Sequence, residues 1–133
     1  MAGMFGTLAF ALALVQPLGT LAQEPESPFV CNLRVLTAAD RARKEDIART
    51  LAAMITRVRE LPDGFEFQFK SEPTTLPLVG EWTWTERLCC PFFDFEIRID
   101  REGGPIAFRL TGRPGTKDFI RADFGKWLRE IRN

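Results

Sequence analysis

The sequence predicts a single α+β domain: a sheet of about four mainly antiparallel strands covered by helices, in the order β-α-β-α-β-β-α. Three observations lead to this prediction. Apolar residues at spacings of three and four mark a long helix in the first half of the chain. Phenylalanines alternate with polar residues after the turn signal at residues 62–64, which is typical of a half-buried strand. Two further alternating runs flank Gly103-Gly104 and predict a hairpin.

The N-terminal residues have the pattern of a secretory signal peptide. An apolar run extends from Met4 to Val15, the first charged side chain is Glu24, and the small residue Ala22 precedes the expected cleavage position. The run is short for a membrane span. We therefore expect a periplasmic or extracellular protein whose mature domain is not membrane-embedded. A retained N-terminal anchor, or a cytoplasmic protein with a misassigned start, are the alternatives. The expected boundaries are a signal peptide at 1–22, a linker at 23–28 and the domain at 29–133.

The first half of the domain is predicted as a strand followed by a helix. Cys31, Leu33 and Val35 alternate along a strand at Phe29–Val35. Thr37 is the expected N-cap of a helix that ends near Glu60. Its inner side would carry Ile47, Leu51, Met54, Ile55 and Val58. Its remaining surface would carry Arg41, Arg43, Lys44, Arg49 and Arg57.

The second half is predicted as strand, helix, hairpin and helix. Phe65, Phe67 and Phe69 share one face of a strand, and Pro77 suits the first turn of the helix that follows. That helix would bury Leu78, Val79, Trp82 and Trp84. The hairpin would place Phe93, Phe95, Ile97 and Ile99 on one face, opposite Ile106, Phe108 and Leu110. Thr116 is the expected cap of a last helix, which would bury Phe119, Ile120, Phe124, Trp127, Leu128 and Ile131 and is weakened at Gly125.

The composition excludes several classes of protein. The chain has no histidine and no tyrosine, so Ser-His-Asp and Cys-His catalytic sites and histidine-liganded zinc are excluded within one chain. No phosphate-binding glycine motif is present. The formal net charge is zero and the basic residues are dispersed, which argues against a nucleic-acid partner. We expect a protein that is not an obvious enzyme.

The most informative segment is Glu86-Arg87-Leu88-Cys89-Cys90-Pro91-Phe92. Residues three and four apart lie on one side of a helix, so the Glu86 carboxylate should project near both sulfurs. Pro91 should end the helix. Cys31, the third and last cysteine, joins them if the first strand begins beside this helix end. Arg87 could hold Glu86, although a surface position is the simpler expectation.

These four residues, Cys31, Glu86, Cys89 and Cys90, are the predicted metal site. Three thiolates suit a soft ion such as Cu(I), Hg(II) or As(III), or Zn(II) with Glu86 or water as a further ligand. Two alternatives stay open at this point. One is a structural or interaction domain cross-linked by a disulfide from Cys31 to Cys89 or Cys90, with the remaining cysteine in the core. The other is a thiol–disulfide redox protein, although its cysteine pair lies at the wrong end of a helix for thiolate activation.

Several segments together resemble a family of small bacterial proteins for which no activity is established. The shared pattern is E-R-x-C-C-P-F followed by L-T-G-x-x-G-x-K-x-F. The resembling segments are Cys31-Asn32-Leu33 with Leu36-Thr37, Leu61-Pro62-Asp63-Gly64-Phe65, Glu86–Phe92, Phe95-Glu96, and Leu110-Thr111-Gly112 with Gly115, Lys117 and Phe119. The resemblance implies that Cys31, Glu86, Cys89 and Cys90 belong to one pattern. The export signal departs from the family, whose members are usually cytosolic.

Overall fold

The computed structural model describes residues Pro25–Arg129, and it has the α+β architecture that the sequence predicts. The helices are α1 (Ala38–Met54), α2 (Thr75–Cys89), α3 (Thr116–Asp123) and α4 (Gly125–Arg129). The strands are β1 (Ile55–Glu60), β2 (Gly64–Phe69), β3 (Asp94–Ile99) and β4 (Ile106–Thr111). The predicted signal peptide and the predicted core residue Ile131 lie outside the described residues. Between Pro25 and Arg129, no helix has the length and apolar character needed to span a bilayer.

The four strands form one antiparallel sheet in the order β1-β2-β4-β3. One face of this sheet packs against the helices. Phe67 in β2 meets the Trp127 ring at a centroid distance of 5.2 Å, and Phe108 in β4 meets the Trp82 ring at 5.6 Å. These two phenylalanines and Trp82 are almost completely buried, so the core lies between the sheet and the helices.

The strand predicted at Phe29–Val35 is wrong. The segment instead contains a 3-10 helix at Leu33–Val35. The Asn32 carboxamide accepts a hydrogen bond from the Arg34 amide at 3.2 Å, and such a local bond competes with strand pairing. Leu33 and Val35, which the sequence predicts on one face of that strand together with Cys31, are exposed.

The sheet has four strands because residues Ile55–Glu60 form β1. The sequence predicts this segment as the end of the first helix. Thr37 caps α1 as predicted, in a reciprocal capping box with Asp40, but α1 ends at Met54. Ile55 and Val58 then pair with β2, and the register shifts between Ile55 and Arg57. Such a bulge inserts one residue into the strand, so successive inward-facing residues can be three positions apart. The same spacing is typical of a helix.

The predicted second helix and hairpin are confirmed as elements. Pro77 lies in the first turn of α2, which ends at Cys89 immediately before Cys90-Pro91. Strands β3 and β4 pair around residues 100–105, where Gly103 adopts a positive φ of 72°. The predicted burial of Trp84 is wrong, since 59% of its surface is exposed, whereas Trp82 is buried as expected.

The predicted last helix is divided into α3 and α4 at Phe124, next to Gly125. Thr116 is not its cap: Gly115 holds that position with a φ of 100°. A Cβ on Gly115 would lie 2.8 Å from the Phe29 ring. Glycine is therefore required both by the left-handed backbone and by the N-terminal segment that packs over it.

The open face of the sheet carries a row of alternating charges. Arg59, Glu66, Arg109 and Glu96 occupy one register across all four strands. Glu66 is enclosed by its partners, because Arg109 donates to its carboxylate at 2.7 Å and Arg59 at 2.9 Å. Burial alone would raise the pKa of Glu66, but these hydrogen bonds, with one from Gln68, lower it to about 2.

We expect Glu66→Gln to reduce the free energy of unfolding by about 1–2 kcal/mol at pH 7, a value discounted because both arginines are partly exposed. A depressed pKa stabilises the fold above the ordinary pKa of 4.5, and that stabilisation disappears as the pH falls towards 2. Urea unfolding at pH 7 and pH 3 measures the change. Glu96→Gln is the matched control, since its exposed carboxylate makes one longer contact of 3.4 Å. A deficit in Glu66→Gln that is equal at both pH values would contradict this account.

Candidate thiol and metal site

The last turn of α2 positions three of the four predicted site residues. Glu86 and Cys89 are one turn apart on the buried side of the helix, and Cys90 is its C-cap. The Cys90 amide donates to the Glu86 carbonyl at 2.7 Å, which keeps Cys90 close to the helix axis before Pro91 ends the element. The carboxylate and both sulfurs therefore face the protein interior together, as the helical spacing predicts.

Cys31 reaches the same place from the N-terminal segment and forms a disulfide with Cys90. A backbone hydrogen bond of 2.7 Å from the Asn32 amide to the Cys89 carbonyl lies beside it. Phe29 also anchors the segment, with its ring centroid 5.1 Å from that of Phe92. Cys31 thus approaches the end of α2 from a turn and a 3-10 helix and not from the predicted strand.

The four donor groups form one compact cluster. The sulfurs of Cys31, Cys89 and Cys90 and a carboxylate oxygen of Glu86 all lie within 4.8 Å of one another. Glu86, Cys89 and Cys90 are buried, and Cys31 is partly exposed. Cys31 is therefore the most exposed residue of the cluster.

Cys89 is the free thiol of the cluster. Its sulfur lies 3.7 Å from the Cys90 sulfur and 3.6 Å from the Glu86 carbonyl oxygen. Burial raises the pKa of the Cys89 thiol, the negative charge of Glu86 raises it further, and the nearby Lys44 ammonium offsets part of the increase. Cys89 is accordingly a protonated core thiol at neutral pH in this oxidised state.

Glu86 forms a nearly buried ion pair with Lys44 of α1. The Lys44 ammonium lies 2.6 Å from Oε2, and 19% of the Lys44 side chain is exposed. Burial raises the pKa of Glu86 more than Lys44 lowers it. The ammonium contacts Oε2, whereas Oε1 has no hydrogen-bond donor among the residues from Pro25 to Arg129. A buried carboxylate oxygen without a donor is available as a ligand.

Lys44 is the site residue that the sequence analysis missed. It was assigned to the solvated surface of the first helix, yet it lies three residues before Ile47 and seven before Leu51, in the same stripe of buried residues. A charged residue within an apolar stripe is the signal that could have identified it. Arg87 does not hold Glu86: its guanidinium lies 5.7 Å from the centre of the exposed Trp84 ring.

No family model, curated protein or solved structure matches this chain. What the site can do therefore has to follow from its own chemistry. That chemistry comprises a disulfide, a third sulfur beside it, and a buried carboxylate with an ammonium partner.

Proposed function

We propose that this protein is a redox-controlled binder of a soft metal ion. In the oxidised state Cys31 and Cys90 form the disulfide. In the reduced state Cys31, Cys89 and Cys90 bind one ion as thiolates, and Glu86 supplies an oxygen ligand. The observation that carries the proposal is the convergence of three sulfurs and an unsatisfied carboxylate oxygen within 4.8 Å.

The donor spacing supports an ion of the Zn(II) size or larger. A Zn–S bond is about 2.3 Å, so two sulfurs on one tetrahedral ion lie about 3.8 Å apart. Cys89 and Cys90 already have a sulfur separation of 3.7 Å. The bonded sulfurs of Cys31 and Cys90 have to move apart after reduction. Three sulfurs favour Cu(I), Hg(II) or As(III), and Glu86 would complete a four-ligand site for Zn(II).

The disulfide makes the two states mutually exclusive. A disulfide sulfur is not a thiolate, so Cys31 and Cys90 become ligands only after an external dithiol supplies two electrons and two protons. The ion then displaces the thiol protons, and binding strengthens as the pH rises. The raised pKa of Cys89 makes this proton competition stronger. Reoxidation of the pair by a disulfide oxidant would release the ion.

A structural cross-link without a ligand is the second candidate. The disulfide joins residues 59 positions apart in the chain and attaches the N-terminal segment to the end of α2. This role needs no reduction and no ion. The thiol–disulfide redox reading is less well supported, because Cys89, the thiol nearest the disulfide, is buried and its pKa is raised.

A metal titration separates these candidates. We expect the reduced chain, kept in a phosphine reductant, to bind one equivalent of Zn(II) or Hg(II), measured by calorimetry and by thiolate-to-metal absorption for Hg(II). The oxidised chain and the Cys89→Ser, Cys90→Ser chain should not bind Zn(II) tightly and should not give the absorption of Hg(II) bound by three thiolates. The fold of the variant is checked by circular dichroism.

Two carboxylate variants provide the matched comparison. Glu86→Gln should weaken Zn(II) binding more than Hg(II) binding, because zinc uses oxygen ligands more readily. Glu81→Gln removes a carboxylate from the exposed side of the same helix, where it pairs with Arg43, and should change neither affinity. If the Cys89→Ser, Cys90→Ser protein still binds one equivalent of Zn(II) tightly, the proposal is wrong.

A further inference from the structure

A cavity of about 430 Å³ lies between α1 and the α3–α4 segment. It shares Lys44 with the thiol site, but its other lining residues lie outside that site. A volume of this size is within the range of small-molecule binding sites in proteins.

One side of the cavity is formed by three largely buried rings, since the exposed fractions of Trp82, Phe124 and Trp127 are 1%, 7% and 4%. The Trp82 and Trp127 rings lie 4.9 Å apart, and Phe124 contacts both at 5.7 and 5.8 Å. The Trp127 indole donates to the Ala48 carbonyl of α1 at 3.2 Å, which fixes the ring. By contrast, the indole N–H of Trp82 is buried without an acceptor among residues 25–129. The opposite wall is α1, where small alanine side chains leave the space open. These walls favour a flat apolar group.

The charges around the cavity favour an anion. Four cationic side chains line it against two acidic ones, Glu45 and Asp123. Arg49 is engaged by Glu45 and Asp46. In the part of the chain that the structure describes, Lys126 and Arg129 have no carboxylate within ion-pair distance, and Asp123 has no cation within that distance. The unpaired groups of the lining therefore carry one net positive charge.

We propose that this cavity binds a small organic anion, a carboxylate or sulfonate with a flat apolar body. The body lies between the alanine side chains of α1 and the Phe124 and Trp127 side of the cavity, and Lys126 and Arg129 attract the anionic group. Lys44 is the least exposed cation of the lining and the one already paired with Glu86. The proposal does not rest on metal binding, since the cavity is present in the oxidised structure.

The test uses the oxidised, metal-free full chain and the probe 1-anilinonaphthalene-8-sulfonate. We expect saturable binding of one equivalent. Energy transfer from Trp82 and Trp127, which line the cavity, should excite the fluorescence of the bound probe. Naphthalene-2-carboxylate, a flat aromatic carboxylate, should compete. Lys126→Gln with Arg129→Gln should weaken the probe at least fivefold at low salt, and less at high salt. Arg57→Gln with Arg101→Gln, which removes two exposed cations elsewhere, should leave its affinity within twofold.

Two further variants complete the test. Ala52→Phe fills the cavity and should weaken binding at least tenfold, with the fold checked by near-ultraviolet circular dichroism. Equal affinities in the two charge variants would overturn the proposal, whether or not Ala52→Phe folds. A chain ending at Arg129 that binds the probe when the full chain does not would also overturn it, because residues 130–133 would then be the occupant. The Cys89→Ser, Cys90→Ser protein, which is expected to lose metal binding, should bind the probe with unchanged affinity.

Discussion

Reduction of the Cys31–Cys90 disulfide is expected to lower the free energy of unfolding by about 4 kcal/mol in the absence of metal. The bond joins residues 59 apart, and opening a loop of that length returns chain entropy to the unfolded state. The folded state also loses an anchor of the segment that carries Phe29 over Gly115. Urea unfolding of the oxidised and the reduced protein, with a chelator present, measures the difference.

Two cysteine variants serve as controls. Cys89→Ser retains the disulfide, so its stability should still fall on reduction by a similar amount. Cys31→Ser with Cys90→Ser should be insensitive to reductant and should unfold near the midpoint of the reduced wild type. If reductant leaves the wild-type midpoint unchanged, the disulfide does not support this fold and the structural role assigned to it is wrong.

Zinc binding is expected to restore to the reduced protein about as much free energy of unfolding as reduction of the disulfide removes. An ion that binds only the folded state stabilises it by about 4 kcal/mol when the free ion is a thousandfold above the dissociation constant. The reason is geometric, because Cys31 bound to the same ion as Cys89 and Cys90 would be tied to the end of α2 again. The measurement is urea unfolding of the reduced chain in a buffered series of free Zn(II) concentrations.

Cys89→Ser is the decisive control for the zinc effect. It keeps both cysteines of the disulfide and removes one ligand of the proposed site, so most of the rescue by zinc should be lost. Glu86→Gln should lose a smaller part. Undiminished rescue in Cys89→Ser would mean that the ion acts elsewhere on the protein.

The sequence predicts the fold class because most elements carry a clean period. The Phe65, Phe67 and Phe69 alternation and the capping box at Thr37 are local, and both are found in the structure. The error at β1 has an equally local cause. The bulge near Ile55 gives the strand an apolar spacing of three, which residue patterns cannot distinguish from a helix.

The site divides in the same way. Helical geometry alone brings Glu86, Cys89 and Cys90 together, so these three could be predicted from the chain. The position of Cys31 depends on how its segment packs on α2. Residue patterns do not determine that packing, so Cys89 and Cys90 are both possible disulfide partners from the sequence alone. Lys44 lies on α1, 42 residues before Glu86. Its place in an apolar stripe marks it as unusual, but its pairing with Glu86 follows only from the packing of α1 on α2.

The most direct test of redox-controlled metal binding is the intact mass of the protein under native and denaturing conditions, with thiol alkylation, before and after reduction in the presence of Zn(II). The account predicts no zinc on the native oxidised chain and one alkylated thiol, Cys89, when that chain is denatured. It predicts one zinc on the native reduced chain and three alkylated thiols once denaturation removes the metal. A reduced chain that shows three alkylated thiols and never carries a metal ion would contradict it, and the cysteines would then serve the fold alone.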